Sequence, residues 1–96
     1  MRYRIFKSIV LLGTAWIMWN HTASRDLDTW EMAKEFQTKE DCETGIREAI
    51  KLKKEKSKDD KNLAVISENS WLVLKDSKRY HVYLVCHPET FDPRER

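Results

Sequence analysis

The chain is poor in the residues from which phosphate cradles, redox pairs and metal centres are built. Of its 96 residues two are glycine, two are cysteine and three are histidine. Gly13 and Gly45 lie far apart, so no Gly-rich loop can wrap a phosphate. The cysteines, Cys42 and Cys86, do not form a C-x-x-C pair, and a thioredoxin-like centre is unsupported. His81 and His87 share one β-prone run. Six positions of extended chain separate them by about 20 Å, and His21 on another run can approach only one of them, so three convergent ligands are not expected. The longest apolar run, Ile9–Trp19, is eleven residues, against about 20 for a membrane-spanning helix.

The first residues have a different composition from the rest. Arg2, Arg4 and Lys7 precede the uncharged Ser8–Met18, and Gly13-Thr14-Ala15 supplies small residues at the spacing of a cleavage site after Ala15. Residues 1–15 thus read as a secretory signal peptide and 16–96 as one small exported domain. An uncleaved leader, with Trp16 and Trp19 at a membrane interface, is the alternative. The whole chain carries 18 Lys and Arg against 16 Asp and Glu; residues 1–15 hold three of the basic residues and no acid, so the remainder is 15 against 16, a net −1. A near-neutral domain lacks the footprint of a nucleic-acid binder.

Trp16–Ala23 is aromatic and apolar and reads as a strand. Ser24–Asp28 suits a turn. In Thr29–Gln37 a period of two sets Trp30, Met32 and Phe36 on one face, with Lys34 the exception, and Glu31, Ala33, Glu35 and Gln37 on the other; this predicts a second strand, helix over Leu27–Phe36 being the competitor. Thr38 is placed to cap a helix, with Asp41 three residues on. Acids at 40, 41 and 43 and lysines at 51, 53, 54 and 56 suit its dipole. Cys42, Ile46, Ala49 and Ile50 form its apolar stripe. Lys51–Asn62 reads as a frayed end and solvated loop, since acids interrupt its lysines. Leu63–Ile66 is a short apolar segment. Trp71–Leu74 and Tyr80–Cys86 read as a hairpin stopped by Pro88.

The expected fold is therefore α+β: a ββαββ domain, one helix on a mostly antiparallel four-stranded sheet. Helix phase turns Cys42 inward, and strand phase groups Cys86 with Tyr80, Val82 and Leu84. Two periodicities thus agree on a Cys42–Cys86 disulfide, the staple that a small exported domain often carries. His81, Tyr83, Val85 and His87 point the other way. One helix covers one face, so His81, Tyr83 and Val85, with one or more tryptophans, mark a possible docking face. The tail beyond Pro88 is the competing cover for it.

Phe36, Thr38 and Cys42, followed by Cys86, Pro88, Thr90, Asp92, Pro93 and Arg94, give a Phe-x-Thr before a helical cysteine and a terminal Cys-x-Pro-x-Thr-x-Asp-Pro-Arg. This pattern resembles a group of small, uncharacterised exported bacterial proteins. The resemblance implies export and a paired Cys42 and Cys86, and no activity. The reading of function is an exported, non-enzymatic domain, periplasmic or extracellular, that binds a protein partner or itself in the cell envelope. It needs no cofactor, no metal, no nucleic acid and, once the leader is removed, no membrane. A cysteine-using envelope enzyme or redox protein and a membrane-tethered accessory protein are the alternatives. Cys86 and His87 are adjacent, but strand neighbours point to opposite faces, so they do not suit a nucleophile and its base.

Overall fold

The computed structural model describes residues 15–95; the predicted leader, save Ala15, lies outside the described residues. Five strands and one helix follow in the order β1 (Trp16–Ala23), β2 (Asp28–Phe36), α1 (Lys39–Ser57), β3 (Leu63–Ser67), β4 (Ser70–Lys75) and β5 (Lys78–Pro88). The strands form one antiparallel sheet in the order β2-β1-β5-β4-β3. The expected four-stranded ββαββ sheet is thus corrected to five strands. The addition is the short apolar segment at Leu63, which pairs with β4 across a turn at Glu68 and Asn69. Five residues show too little alternation to announce a strand, and their pairing with β4 supplies the missing stability.

The topology explains the length of the helix. β2 and β3 are the two edges of the sheet, and α1 connects them, so it must cross all five strands. Five strands span about 19 Å between outer axes, and 19 helical residues span about 28 Å. The lysine-rich end that reads as frayed is needed for this crossing, and the helix runs on to Ser57. Its start is sharper. Thr38 is extended, and its hydroxyl accepts the Asp41 N–H at 3.0 Å, relieving one of the unpaired donors of the first turn.

The layer between α1 and the sheet holds Met18, Cys42, Ile46, Ile50, Leu63, Trp71, Val82 and Leu84, flanked by Trp16, Phe36, Ala49, Val65, Val73 and Cys86. Lys53 places its ammonium 4.8 Å from the centre of the Trp71 ring, so its stem shields the indole while its charge stays wet. The Cys42–Cys86 disulfide is formed, with the two Cα atoms 6.2 Å apart. It joins the first turns of α1 to β5, the middle strand of the sheet.

A β-bulge alters the reading of β2. Met18 pairs with Lys34, but Trp19 pairs with Met32, which leaves Ala33 as the extra residue. An inserted residue reverses the alternation beyond it. Phe36 therefore joins the helix-side core, while Trp30 pairs with His21 and Met32 with Trp19 on the opposite face. The single face expected for Trp30, Met32 and Phe36 is split in two. Lys34 is no exception on its side of the bulge, for its ammonium lies 5.4 Å from the Phe36 ring centre.

The β4–β5 turn places Asp76 and Ser77 at φ 53° and 67°. Two consecutive left-handed residues are what a two-residue hairpin needs to follow the strand twist.

Candidate functional site

Strand parity and register assemble the face of the sheet that α1 does not cover. On β5, His81, Tyr83, Val85 and His87 alternate with the core residues Val82, Leu84 and Cys86. On β1, His21 pairs with Tyr83, Trp19 with Val85 and Ile17 with His87. On β2, the bulge delivers Trp30 and Met32. All three histidines of the chain consequently lie on this face.

Their rings join a band with the neighbouring aromatics. His81 stacks on Tyr83 with centroids 4.1 Å apart, and Tyr83 lies 5.7 Å from His21. His21 stacks on Trp30 at 3.9 Å, with the ring planes nearly parallel. Trp30 is 6.4 Å from His87, and His87 is 4.6 Å from Phe91. Trp19 meets Trp30 edge-on at 6.4 Å, the arrangement that ring quadrupoles favour. Two contacts orient the imidazoles: His21 Nε2–H donates to Asp28 Oδ1 at 2.6 Å, and the Tyr83 hydroxyl lies 3.0 Å from His81 Nδ1. Desolvation lowers the pKa of His87 below the usual histidine value, which favours its neutral form.

The tail covers one end of the face. Glu89 N–H donates to the Ala15 carbonyl at 2.8 Å, and the Ala15 N–H donates to Glu89 Oε1 at 3.0 Å, which continues the β1–β5 pairing past Pro88. Pro93 is buried, and the Arg94 guanidinium lies 5.1 Å from the Trp19 ring centre. Asp92 holds Arg94 in a two-pronged pair at 2.9 and 2.7 Å. The Arg94 side-chain hydrogen bond, then its backbone N–H, draws the Asp92 carboxyl down to about 2. The expected cover by the tail is realised in part: it lies over the Trp19 end of the face and leaves the His81 end uncovered. The proposed docking residues Tyr83 and Val85 lie between these ends, with His81 beyond them.

Sequence reasoning missed His21, Trp30 and Arg94 as parts of this surface. His21 and Trp30 meet only through register, and Trp30 arrives only because of the bulge. Asp92, two residues before Arg94, was the available signal for the latch.

Both cysteines are bridged and none is free. Among the described residues no three His, Cys, Asp or Glu side chains converge as metal ligands. A groove of about 590 Å³ lies on the other side, between α1 and the β3–β4 turn, lined by Glu43, Ile46, Arg47, Ser67, Glu68 and Asn69. Its Ser67 hydroxyl donates to Asn69 Oδ1 and contacts the Ser70 hydroxyl, with no histidine beside it, so it lacks the base that activates a serine. On the open face, Trp19 Nε1, Trp30 Nε1 and His81 Nε2 are enclosed and lack hydrogen-bond partners. They are sealed by their neighbours, a poor arrangement for reading a small polar ligand.

No family model, curated protein or solved structure matches the chain.

Proposed function

We propose that the protein is an exported, non-enzymatic docking domain, stapled by Cys42–Cys86, that engages a protein partner through the helix-free face of its sheet. The observation that carries this reading is the band of half-buried rings, His81, Tyr83, His21 and Trp30, on a sheet face that no helix among the described residues covers. Aromatic side chains are over-represented in the cores of protein interfaces, and a flat array of them favours a broad partner over a small molecule. Exposed Met32, 62% accessible, and Leu74 extend the apolar area to either side.

Export is supported by the disulfide, which persists in oxidising compartments. Among the described residues no helix is long and apolar enough to cross a membrane. The residues of the Phe-x-Thr and Cys-x-Pro-x-Thr-x-Asp-Pro-Arg patterns also favour a structural rather than a catalytic reading. Phe36 fills the core, Thr38 caps α1, the cysteines bridge, and Asp92 orients Arg94 over Trp19.

A photo-crosslinking residue placed at Met32 on this face, against a control at Leu52 on α1, tests the reading in cells that make the protein. Both positions are well exposed. Discrete adducts from position 32 and none from position 52 are expected. No adduct from 32, or the same adducts from both, would refute the docking role. Mass measurement of the exported product tests cleavage after Ala15.

A further inference from the structure

We propose that the occupant of the open face is a second copy of this chain, packed sheet against sheet, and that acidification parts the pair. The inference rests on the docking reading above and names its partner.

Area is the first argument. Strands about 4.8 Å apart and about 3.3 Å per residue give an open sheet face of about 500 Å², once the end beneath the tail is set aside. Two such faces together bury on the order of 1,000 Å², the lower bound for a specific interface. A twisted antiparallel sheet accepts a copy of itself at about −30°, and a two-fold pair brings the same patch from each subunit.

Charge is the second argument. The strand positions of this face carry Asp28, Glu35 and Arg79 at its margins, and the tail adds Glu89, whose carboxylate accepts the Ala15 N–H, with Asp92, Arg94 and Glu95. The signs are mixed. Asp28 is already bonded to His21, and Asp92 to Arg94. The other charges sit at the margins and in the tail, so none within the ring band addresses an oppositely charged partner. The surface left over is neutral, aromatic and aliphatic, and its best chemical match is the same surface.

The histidines make that match depend on pH. An imidazole is the side chain that ordinarily gains charge between pH 8 and 5. His21 faces Asp28, Trp30 and Tyr83, so its charge would be offset. His81 faces the Tyr83 hydroxyl, Leu72 of β4 and Ala23 of β1, with Arg79 two residues along. His87 faces Trp30, Phe91 and Ile17, with Glu35 beyond Ile17 on β2 and the Asp92–Arg94 pair in the tail. Among the described residues neither His81 nor His87 has a carboxylate within ion-pair distance. Pairing two copies would bring the His81 imidazole of each into a layer shielded from water, with His87 at its rim beside the tail. Protonation there puts unpaired charges of one sign in an apolar layer, which disfavours the paired state.

Sedimentation equilibrium of the disulfide-intact protein, isolated as the cell makes it, tests the proposal over micromolar to millimolar concentration. A dimer at pH 8 is expected, with its Kd raised at least about tenfold at pH 5. Met32→Glu should be monomeric at pH 8 with an unchanged melting temperature, because Met32 is exposed in the single chain. The pair His81→Gln and His87→Gln should remain dimeric and lose the pH dependence. A wild type that stays monomeric at pH 8 throughout would overturn the proposal, while foreign adducts from position 32 would leave the docking reading standing. A dimer that survives Met32→Glu would place the contact elsewhere, and equal Kd values at the two pH values would remove the histidines from control.

Discussion

Reducing the Cys42–Cys86 bridge should remove a large part of the stability of the domain. The bridge spans 44 positions and closes a loop of 45 residues, for which the chain-entropy relation gives about 4 kcal/mol. Domains of this kind have about 5–15 kcal/mol in all. The two thiols of the reduced chain remain in the core, with Cys42 fully buried, so comparing oxidised and reduced protein isolates the cross-link from packing. One kcal/mol moves the melting point of a domain this small by about 4–8 °C, so a fall of about 16–30 °C is expected. The urea m-value should rise as well, because the unfolded chain loses its 45-residue constraint and exposes more surface. Cys42→Ala and Cys86→Ala should each destabilise by about 2–5 kcal/mol, and the double substitution by no more, because either one removes the whole cross-link. Equal midpoints and equal m-values for the oxidised and reduced chains would refute the argument.

Further tests concern the helix, its contact with β2 and the tail. Thr38→Ala removes the cap bond to Asp41 and should lower stability by about 1 kcal/mol in urea titration. At Gly45 a Cβ would stand 2.6 Å from Phe36 Cζ and 3.1 Å from Met18 Cε; overpacking of about 1–3 kcal/mol should exceed the helix-propensity gain of about 1 kcal/mol, so Gly45→Ala destabilises and Phe36→Leu in the same chain restores stability. The Asp92 carboxyl is drawn down to about 2 by Arg94, so its latch is intact above the unfolded value near 3.8 and fails as pH falls through about 2; Trp19 fluorescence should follow that transition, and Asp92→Asn should release the tail at neutral pH. For His87 burial lowers the pKa, so its contribution is whole above pH 6.5 and is lost as pH falls through the lowered value. The melting temperature of dilute protein should decline in that window and decline less in His87→Phe.

Local patterning carried the reading of the fold wherever it acted within one element. The bounds of β1, the Thr38 cap, the Cys42–Ile50 stripe and the two faces of β5 all follow from spacing along the chain. The reading failed where the determinant was a neighbour. β3 exists because β4 lies beside it, and its five residues say little alone. The bulge at Ala33 follows from conflicting demands: Phe36 must reach the helix side beside Gly45, while Trp30 must stack on His21. A period of two cannot satisfy both, and one extra residue can. The open face was legible on β5 because His81, Tyr83 and Val85 share parity, whereas the contributions of β1 and β2 required their registers.

The disulfide does more in this architecture than add stability. Sliding β5 by one residue against its neighbours would exchange its faces. Cys86 would then point away from α1, and no rotamer could bring its sulfur to Cys42, because a bridge needs Cα atoms within about 7 Å and converging Cβ vectors. The oxidised protein therefore admits only the register in which Val82 and Leu84 are dry and His81, Tyr83, Val85 and His87 are turned outward. The open face is in this sense a product of the bridge on the opposite side of the sheet. A chain that is reduced before it folds loses that constraint, and a shifted register would send three ring-bearing side chains of β5 under the helix and two core aliphatics into the ring band. In any fraction of the reduced chain that takes a shifted register, stability and surface chemistry would fail together, whereas Met32→Glu should alter the surface alone.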